Sequence, residues 1–415
     1  MYYYRTMEDT LVRMSKEFAC LVIYGPRQVG KSTMVSHVFS SIPQVTLDDI
    51  DDLTLALTNP KLFLDNYSWP LVIDEIQKAP LLLSEIKKRI DAQKKEWVFE
   101  NKPVQLMYVL TGSNQFELQQ GISESLAGRA GILDMNSFSL AEKEGRKGEP
   151  FLPDLSVLQK RFQEQKKVYT RKEIFNTLFE GGMPEQVLGF SPREDFFKSY
   201  LTTYLEKDVR KLVQATSLST FRTFLSLVAL RTGQELHYEE LANACGIDVR
   251  TVKKWISVLS ASELILLLQP YLSNENRRII KAPKLYFMDT GLCAYLCGWP
   301  SPDMLEMSPM AGAFFETFVV SEIVKNYQAE NLDVSHTLFY YRDIDQKEID
   351  LLYVKDQTIT PIEIKKGINP VRPNKNFSVL EKYKMPIKTG FILDTTDRIR
   401  PLNENAYTIP VSLVD

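Results

Sequence analysis

The chain has 415 residues, too many for one ordinary core and enough for about two to four domains. Hydrophobic residues make up 44% and charged residues 25%, a globular balance that excludes a disordered chain. A formal net charge of −3 excludes a polycation, so any nucleic-acid surface must be a local basic patch.

The first strong element is an apolar run rich in strand formers, FACLVIY (18–24), followed by a Gly-rich turn and a helical stretch to about Phe39. Short strands are then expected at QVTLDD (44–49), PLVIDE (70–75) and QLMYVLTGS (105–113). A helical pattern at Leu81–Ala92 lies between the last two. This alternation predicts a parallel sheet with helices on both faces. From about residue 150 the strands give way to helices, interrupted at GGMP (181–184). The charge-rich stretch 143–167 reads as a linker. Two short helices and an apolar strand follow over 235–270. After 310 the pattern is helix (311–327), strands at 337–342, 348–354 and 359–365, then strand and loop.

Residues 25–32 read GPRQVGKS, the G-x-x-x-x-G-K-[ST] pattern, with a strand before it and a helix after it. Gly25 and Gly30 let the backbone curl so that its N–H groups face phosphate oxygens. Gly25, Pro26, Arg27, Gln28, Val29, Gly30, Lys31, Ser32 and Thr33 are therefore the candidate nucleotide-binding residues, with ATP and Mg2+ the expected cofactors. Lys31 should reach the β- and γ-phosphates, and Ser32 should ligate magnesium. LVIDE (71–75) ends an apolar strand in two carboxylates. Asp74 can hold magnesium through water, and Glu75 can take a proton from the attacking water. At the end of the next strand, Ser113 or Asn114 is placed to position that water. Arg129, in SLAGRAG (125–131), is a candidate transition-state arginine in cis or from a neighbouring subunit; a surface salt bridge is the plainer reading.

The order GPRQVGKS, LVIDE, LTGSN and LAGRA resembles the AAA+ superfamily. Within it the chain is similar to the AAA-14 ATPases of bacteria and archaea, which carry a C-terminal domain of unknown function (DUF4143). GGMPE (181–185), YLEKDVRKL (204–212), KLYFMDTGLCAYL (284–296) and GAFFETFVVSEI (312–323) extend the resemblance over nearly the whole chain. It implies Walker A at 25–32, Walker B at 71–75, a first sensor near Ser113 and an arginine finger at Arg129. It places Gly182 and Pro184 where lid helices meet the nucleotide. The lid shows no obvious second-sensor arginine.

HYEELANACGIDVRTVKKWISVL (237–259) has helix-turn-helix spacing with Gly246 at the turn. Arg250, Lys253 and Lys254 should be exposed on the second helix, and Arg277 and Arg278 should tip a wing. The functional reading is DNA contact in the major groove; the alternative is a fold used for packing or protein contacts. Further on, KEIDLLYV (347–354) and TPIEIKKG (360–367) form a predicted hairpin carrying Asp350, Glu363 and Lys365, with Glu316 on the preceding helix. The carboxylates of Glu316, Asp350 and Glu363 suit a metal ion that activates water for phosphodiester hydrolysis, with Lys365 steadying the nucleophile. This arrangement resembles the PD-(D/E)xK nuclease superfamily.

The expected fold class is thus α/β. A P-loop AAA+ parallel-sheet core (1–145) and helical lid (146–215) precede a winged helix (216–285) and a restriction-endonuclease-like α/β domain (286–415), with DUF4143 near 200–370. The expected function is an ATPase coupled to DNA binding or processing, with metal-dependent cleavage open. The alternative is an ATP-dependent switch acting on protein or DNA without cleavage. A small-molecule kinase fits poorly, since no acceptor site is visible. Cys20, Cys245, Cys293 and Cys297 lack the ligand spacing of zinc and read as buried thiols of a reducing cytosol. No stretch nears the ~20 apolar residues of a membrane span, and MYYYRTMEDTLVRM lacks a signal-peptide core, so a soluble cytoplasmic protein is expected.

Overall fold

The first apolar runs become the inner strands of a parallel sheet. In the computed structural model, which describes residues 2–112, 125–165, 167–204, 218–271, 282–368 and 370–415, this sheet has five strands. They are β1 (Cys20–Tyr24), β2 (Gln44–Thr46), β3 (Leu71–Asp74), β4 (Tyr108–Thr111) and β5 (Ala130–Asp134), in the order β2-β3-β4-β1-β5. All five residues of β1 are buried, as a central parallel strand requires. β5 was not among the expected strands. Its Gly131 lies where a Cβ would stand 2.5 Å from Met14, so the strand trades an apolar side chain for close helix packing.

Residues 143–167 do not form the expected linker. Phe151 is buried and its carbonyl accepts from the Tyr327 hydroxyl at 2.7 Å. The helix Leu155–Glu164 packs Leu158 inward, and its Arg161 donates to Leu413 O at 3.0 Å. The charges on this stretch mask two anchors set among them. The helices Arg171–Glu180, Pro184–Val187 and Arg193–Tyr204 continue from it.

Next come the helix Leu218–Ala229, β6 (Gln234–Glu235), the helices Tyr238–Cys245 and Val249–Ala261, β7 (Ile265–Leu268) and β8 (Lys284–Phe287). That is the element order expected of a winged helix, with a β6-β8-β7 sheet. Gly246 ends the first short helix in the left-handed conformation at φ 66°, and Asp248 caps the second through the Thr251 N–H. The C-terminal part has six strands: β9 (Leu338–Arg342), β10 (Glu348–Lys355), β11 (Thr358–Ile364), β12 (Gly390–Asp394), β13 (Arg400–Asn403) and β14 (Ala406–Pro410). They form a mixed sheet in the order β13-β14-β12-β11-β10-β9. Tyr271 N and Gln269 O both bond to Tyr340, stitching the end of the smaller sheet to β9. The helix Ala311–Ala329 is buried on nearly every side and belongs to the main core. No helix among the described residues is long and apolar enough to cross a membrane.

Candidate functional sites

The P-loop is shaped by residues that tolerate positive φ. Gly25 (145°) and Gly30 (94°) flank Gln28 (61°), and a Cβ at Gly25 would stand 1.9 Å from Met135 O. The loop therefore wraps the exit of β5 with no room for a side chain. Lys31 is nearly buried, and its Nζ donates to the carbonyls of Gly25 and Pro26 at 2.9 and 2.7 Å. Arg27, Gln28, Gly30, Lys31, Ser32 and Thr33 line a cavity of about 350 Å3 with Glu75, Tyr200 and Thr203. Val29 faces the core and offers only its backbone.

β3 and β1 are separated by β4, so the acidic strand end lies beside the loop. Ser32 Oγ is 3.0 Å from each Asp74 oxygen, and Thr111 Oγ1 donates to the same carboxylate. A hydroxyl and a carboxylate so paired suit one hard cation next to the loop. Glu75 holds a left-handed backbone (φ 58°) and accepts from Gln77 Nε2. Glu75 also lines the cavity beside the loop. Tyr200 and Thr203 were missed in the sequence, since helix Arg193–Tyr204 joins the cavity only by long-range packing, and Thr111 was passed over beside Ser113.

Other candidates are placed elsewhere. Ser113 and Asn114 lie outside the described residues, as do Arg277 and Arg278. Arg129 is not brought to its own P-loop. Parallel pairing of Cys20 with Ala130 and Tyr24 with Asp134 sets it at the opposite end of the strands, about 20 Å from Gly25 along β1. There its guanidinium forks onto Asp91 at 2.6 and 3.0 Å. In this arrangement the guanidinium is engaged by Asp91 and not by its own loop, as the salt-bridge reading expects. Gly182 and Pro184 do not line the cavity either. Gly182 donates to Asp289 at 2.9 Å and accepts from Phe138 N at 2.8 Å, so this turn braces the lid against the downstream chain.

On the helix Val249–Ala261, Val252, Trp255, Ile256 and Leu259 point inward while Arg250, Lys253 and Lys254 are exposed. In the C-terminal sheet, antiparallel β10 and β11 bring three candidates together. Lys365 Nζ donates to Asp350 at 3.0 Å and to Glu363 at 2.6 Å, and Ile364 N donates to Asp350 at 2.8 Å. Burial and the adjacent Asp350 push the Glu363 carboxyl up to about 9. Burial opposes ionisation of Asp350 too, but Lys365, Lys284 and the Ile364 N–H outweigh it and hold Asp350 below the usual range.

Glu316 stands apart in its bonding. It accepts from Lys284 at 2.8 Å and from the Tyr286 hydroxyl at 2.7 Å. Lys284, 2% exposed, also pairs with Glu348. Although burial disfavours its charge, Glu316 and the neighbouring acids raise its pKa well above the ordinary value. Among the described residues no three His, Cys, Asp or Glu side chains converge as a cation cage. The fit to a metal thus rests on Asp350 and Glu363 alone.

A parallel sheet in this order, with the phosphate loop after its central strand and Asp74 two strands away, defines a P-loop ATPase fold of the AAA type. Residues 17–143 match the family described as an AAA domain. Residues 171–303 match a domain of unknown function, DUF8612, and residues 311–414 another, DUF4143. The chain therefore joins an N-terminal AAA domain, an ATP-binding ATPase module, to a C-terminal DUF4143 domain. Uncharacterized proteins of Mycobacterium tuberculosis and Mycobacterium bovis are each 25% identical over 354 residues, covering 84% of this chain and 71% of theirs. Among solved structures, a Walker-type ATPase of Pyrococcus abyssi is 14% identical, covering 71% of this chain and 96% of that one, at a TM-score of 0.42. The ORC2 protein of Aeropyrum pernix is 12% identical, covering 77% and 93%, at 0.34. The RuvB branch-migration motor of Thermotoga maritima is 15% identical, covering 64% and 90%, at 0.30.

Proposed function

We propose that this protein hydrolyses Mg-ATP at Gly25–Ser32 and uses the cycle to control contact with DNA through its winged-helix-like part. The observation that supports the first half is the pairing of Ser32 with Asp74 beside the loop lysine. When bound, magnesium would neutralise phosphate charge between Ser32 and Asp74. Lys31 exchanges the Gly25 and Pro26 carbonyls for phosphate oxygens, and Glu75 takes the proton of the attacking water. Arg129, remote from its own loop, serves a neighbouring subunit. DNA contact is supported by the three exposed cations on one helix face whose other face is buried. The test is a panel of single-stranded, duplex and branched DNA, read by ATPase stimulation. Charge reversal at Arg250 and Lys253 should remove that stimulation; stimulation that persists removes DNA contact from this helix.

A second reading adds metal-dependent phosphodiester cleavage. It is favoured by the convergence of Asp350, Glu363 and Lys365. Asp350 and Glu363 would hold the cation, and Lys365 would steady the nucleophile. Cleavage lost in Asp350→Ala while ATP hydrolysis survives would support it. No cleavage of any nucleic acid across metals and nucleotides leaves the ATP-dependent switch.

A further inference from the structure

The segment that leaves β5 is gripped by three different parts of the chain. It packs against the P-loop at Met135, as the Gly25 contact shows. Buried Arg5 ties the two together, donating to Val29 O at 2.8 Å in the loop and to Asn136 O at 2.6 Å. The segment then runs along the helix Ala311–Ala329 in matched steps. Leu140 N donates to Glu322 at 2.6 Å, Phe138 O accepts from Lys325 at 3.1 Å, and Asn136 Nδ2 donates to Gln328 Oε1 at 2.7 Å. One group at each of 136, 138 and 140 thus meets a helix residue three positions from the last, at 328, 325 and 322.

At the end of this zipper a third element enters. Asn136 Nδ2 also donates to Glu263 Oε2 at 3.1 Å, and Gln328 Nε2 donates to Glu263 Oε1 at 3.3 Å. Glu263 follows directly on the helix Val249–Ala261, which carries Arg250 and Lys253, in a left-handed backbone (φ 55°). Lys31 and Asp134 are the charges that act on it. The other end of the zipper helix carries Glu316, about 18 Å from Gln328 along the axis.

We infer that Asn136, Glu263 and Gln328 form a joint through which nucleotide in the P-loop positions both the cationic helix and the helix bearing Glu316. Lys31 leaves the Gly25 and Pro26 carbonyls for phosphate, and the loop's shift passes through Val29 O and Arg5 to Asn136. Asn136 holds one residue from each downstream part, Glu263 and Gln328, and so couples the two to each other at the loop. The three are positioning residues and touch no phosphate. The inference rests on the ATP reading of the loop.

The test is amide hydrogen exchange in the full chain, with and without ATP, alongside ATP affinity from a fluorescent analogue. In the wild type, ATP should slow exchange in 249–263 and 311–329 by about fivefold or more. In Asn136→Ala the analogue should still bind, but both responses should be lost. Asn136→Asp removes the amide donor that Glu263 and Gln328 share and should lose them too; adding Glu263→Gln supplies an amide donor facing the new carboxyl group and should bring them back. A wild type that binds ATP with no response in either helix, or an Asn136→Ala protein that keeps both, overturns the joint. Failure of the Glu263→Gln partner to rescue also overturns it. A wild type that binds no ATP overturns the joint together with the ATP reading.

Discussion

At the scale of single residues, the phosphate site turns on two carbonyls and a lysine. Lys31 already satisfies its ammonium within the loop, so removing it leaves Gly25 O and Pro26 O unpaired as well as the phosphate. Lys31→Ala should abolish ATP binding, as read by analogue titration. Glu75→Gln should bind ATP normally yet turn over more slowly by about two orders of magnitude, measured by phosphate release. Asp394 offers a pH handle far from that loop. It is buried at the end of β12, and burial raises its carboxyl to about 6 despite the Thr396 N–H and Arg400. A raised carboxyl favours the folded state at low pH, and that contribution fades as pH climbs from about 4 to about 6. Asp394→Asn should therefore flatten the fall in melting temperature over that window.

Single elements divide into those written locally and those written by distant partners. Gly25–Ser32 was legible because positive φ at two positions demands glycine wherever the loop is used. Asp74 and Glu75 were legible from an apolar strand ending in acids. Tyr200, Arg5, Asn136 and Lys284 were not. Their partners lie far along the chain and no period in the sequence links them; Arg5 and Asn136, for example, are 131 residues apart. β5 went unread because Gly131 breaks its apolar alternation, and with it went the knowledge of which sheet end holds Arg129. The helix Val249–Ala261 was legible from its apolar face. Its Trp255 meets Phe221 and Phe224 edge-on at 4.9 and 5.0 Å. Trp255→Ala should cost about 3–5 kcal/mol in denaturant unfolding of this part.

For the whole molecule, the position of Arg129 decides how many chains make one active site. Its fork with Asp91 lies at the opposite end of the strands from Gly25, so the proposed finger would act on a neighbouring chain. Arg129→Ala should lower turnover while leaving ATP affinity near the wild-type value. Mixing it with Lys31→Ala subunits should restore turnover, because each variant then supplies what the other lacks. Additive, unrescued activity would mean that chains act singly.

Lys284 bears on how this architecture can be rearranged. Its ammonium, shut from water, leaves the small sheet at β8 and is neutralised by Glu316 and Glu348 from beyond residue 310. Two adjoining family regions, 171–303 and 311–414, thus share one buried charge account. A fragment ending between them would leave Lys284 without its two acids, and its complement would keep Glu348 paired with Arg342 but leave Glu316 without Lys284 and Tyr286. Replacing either half by an unrelated module should therefore destabilise the chain unless Lys284 is changed with it.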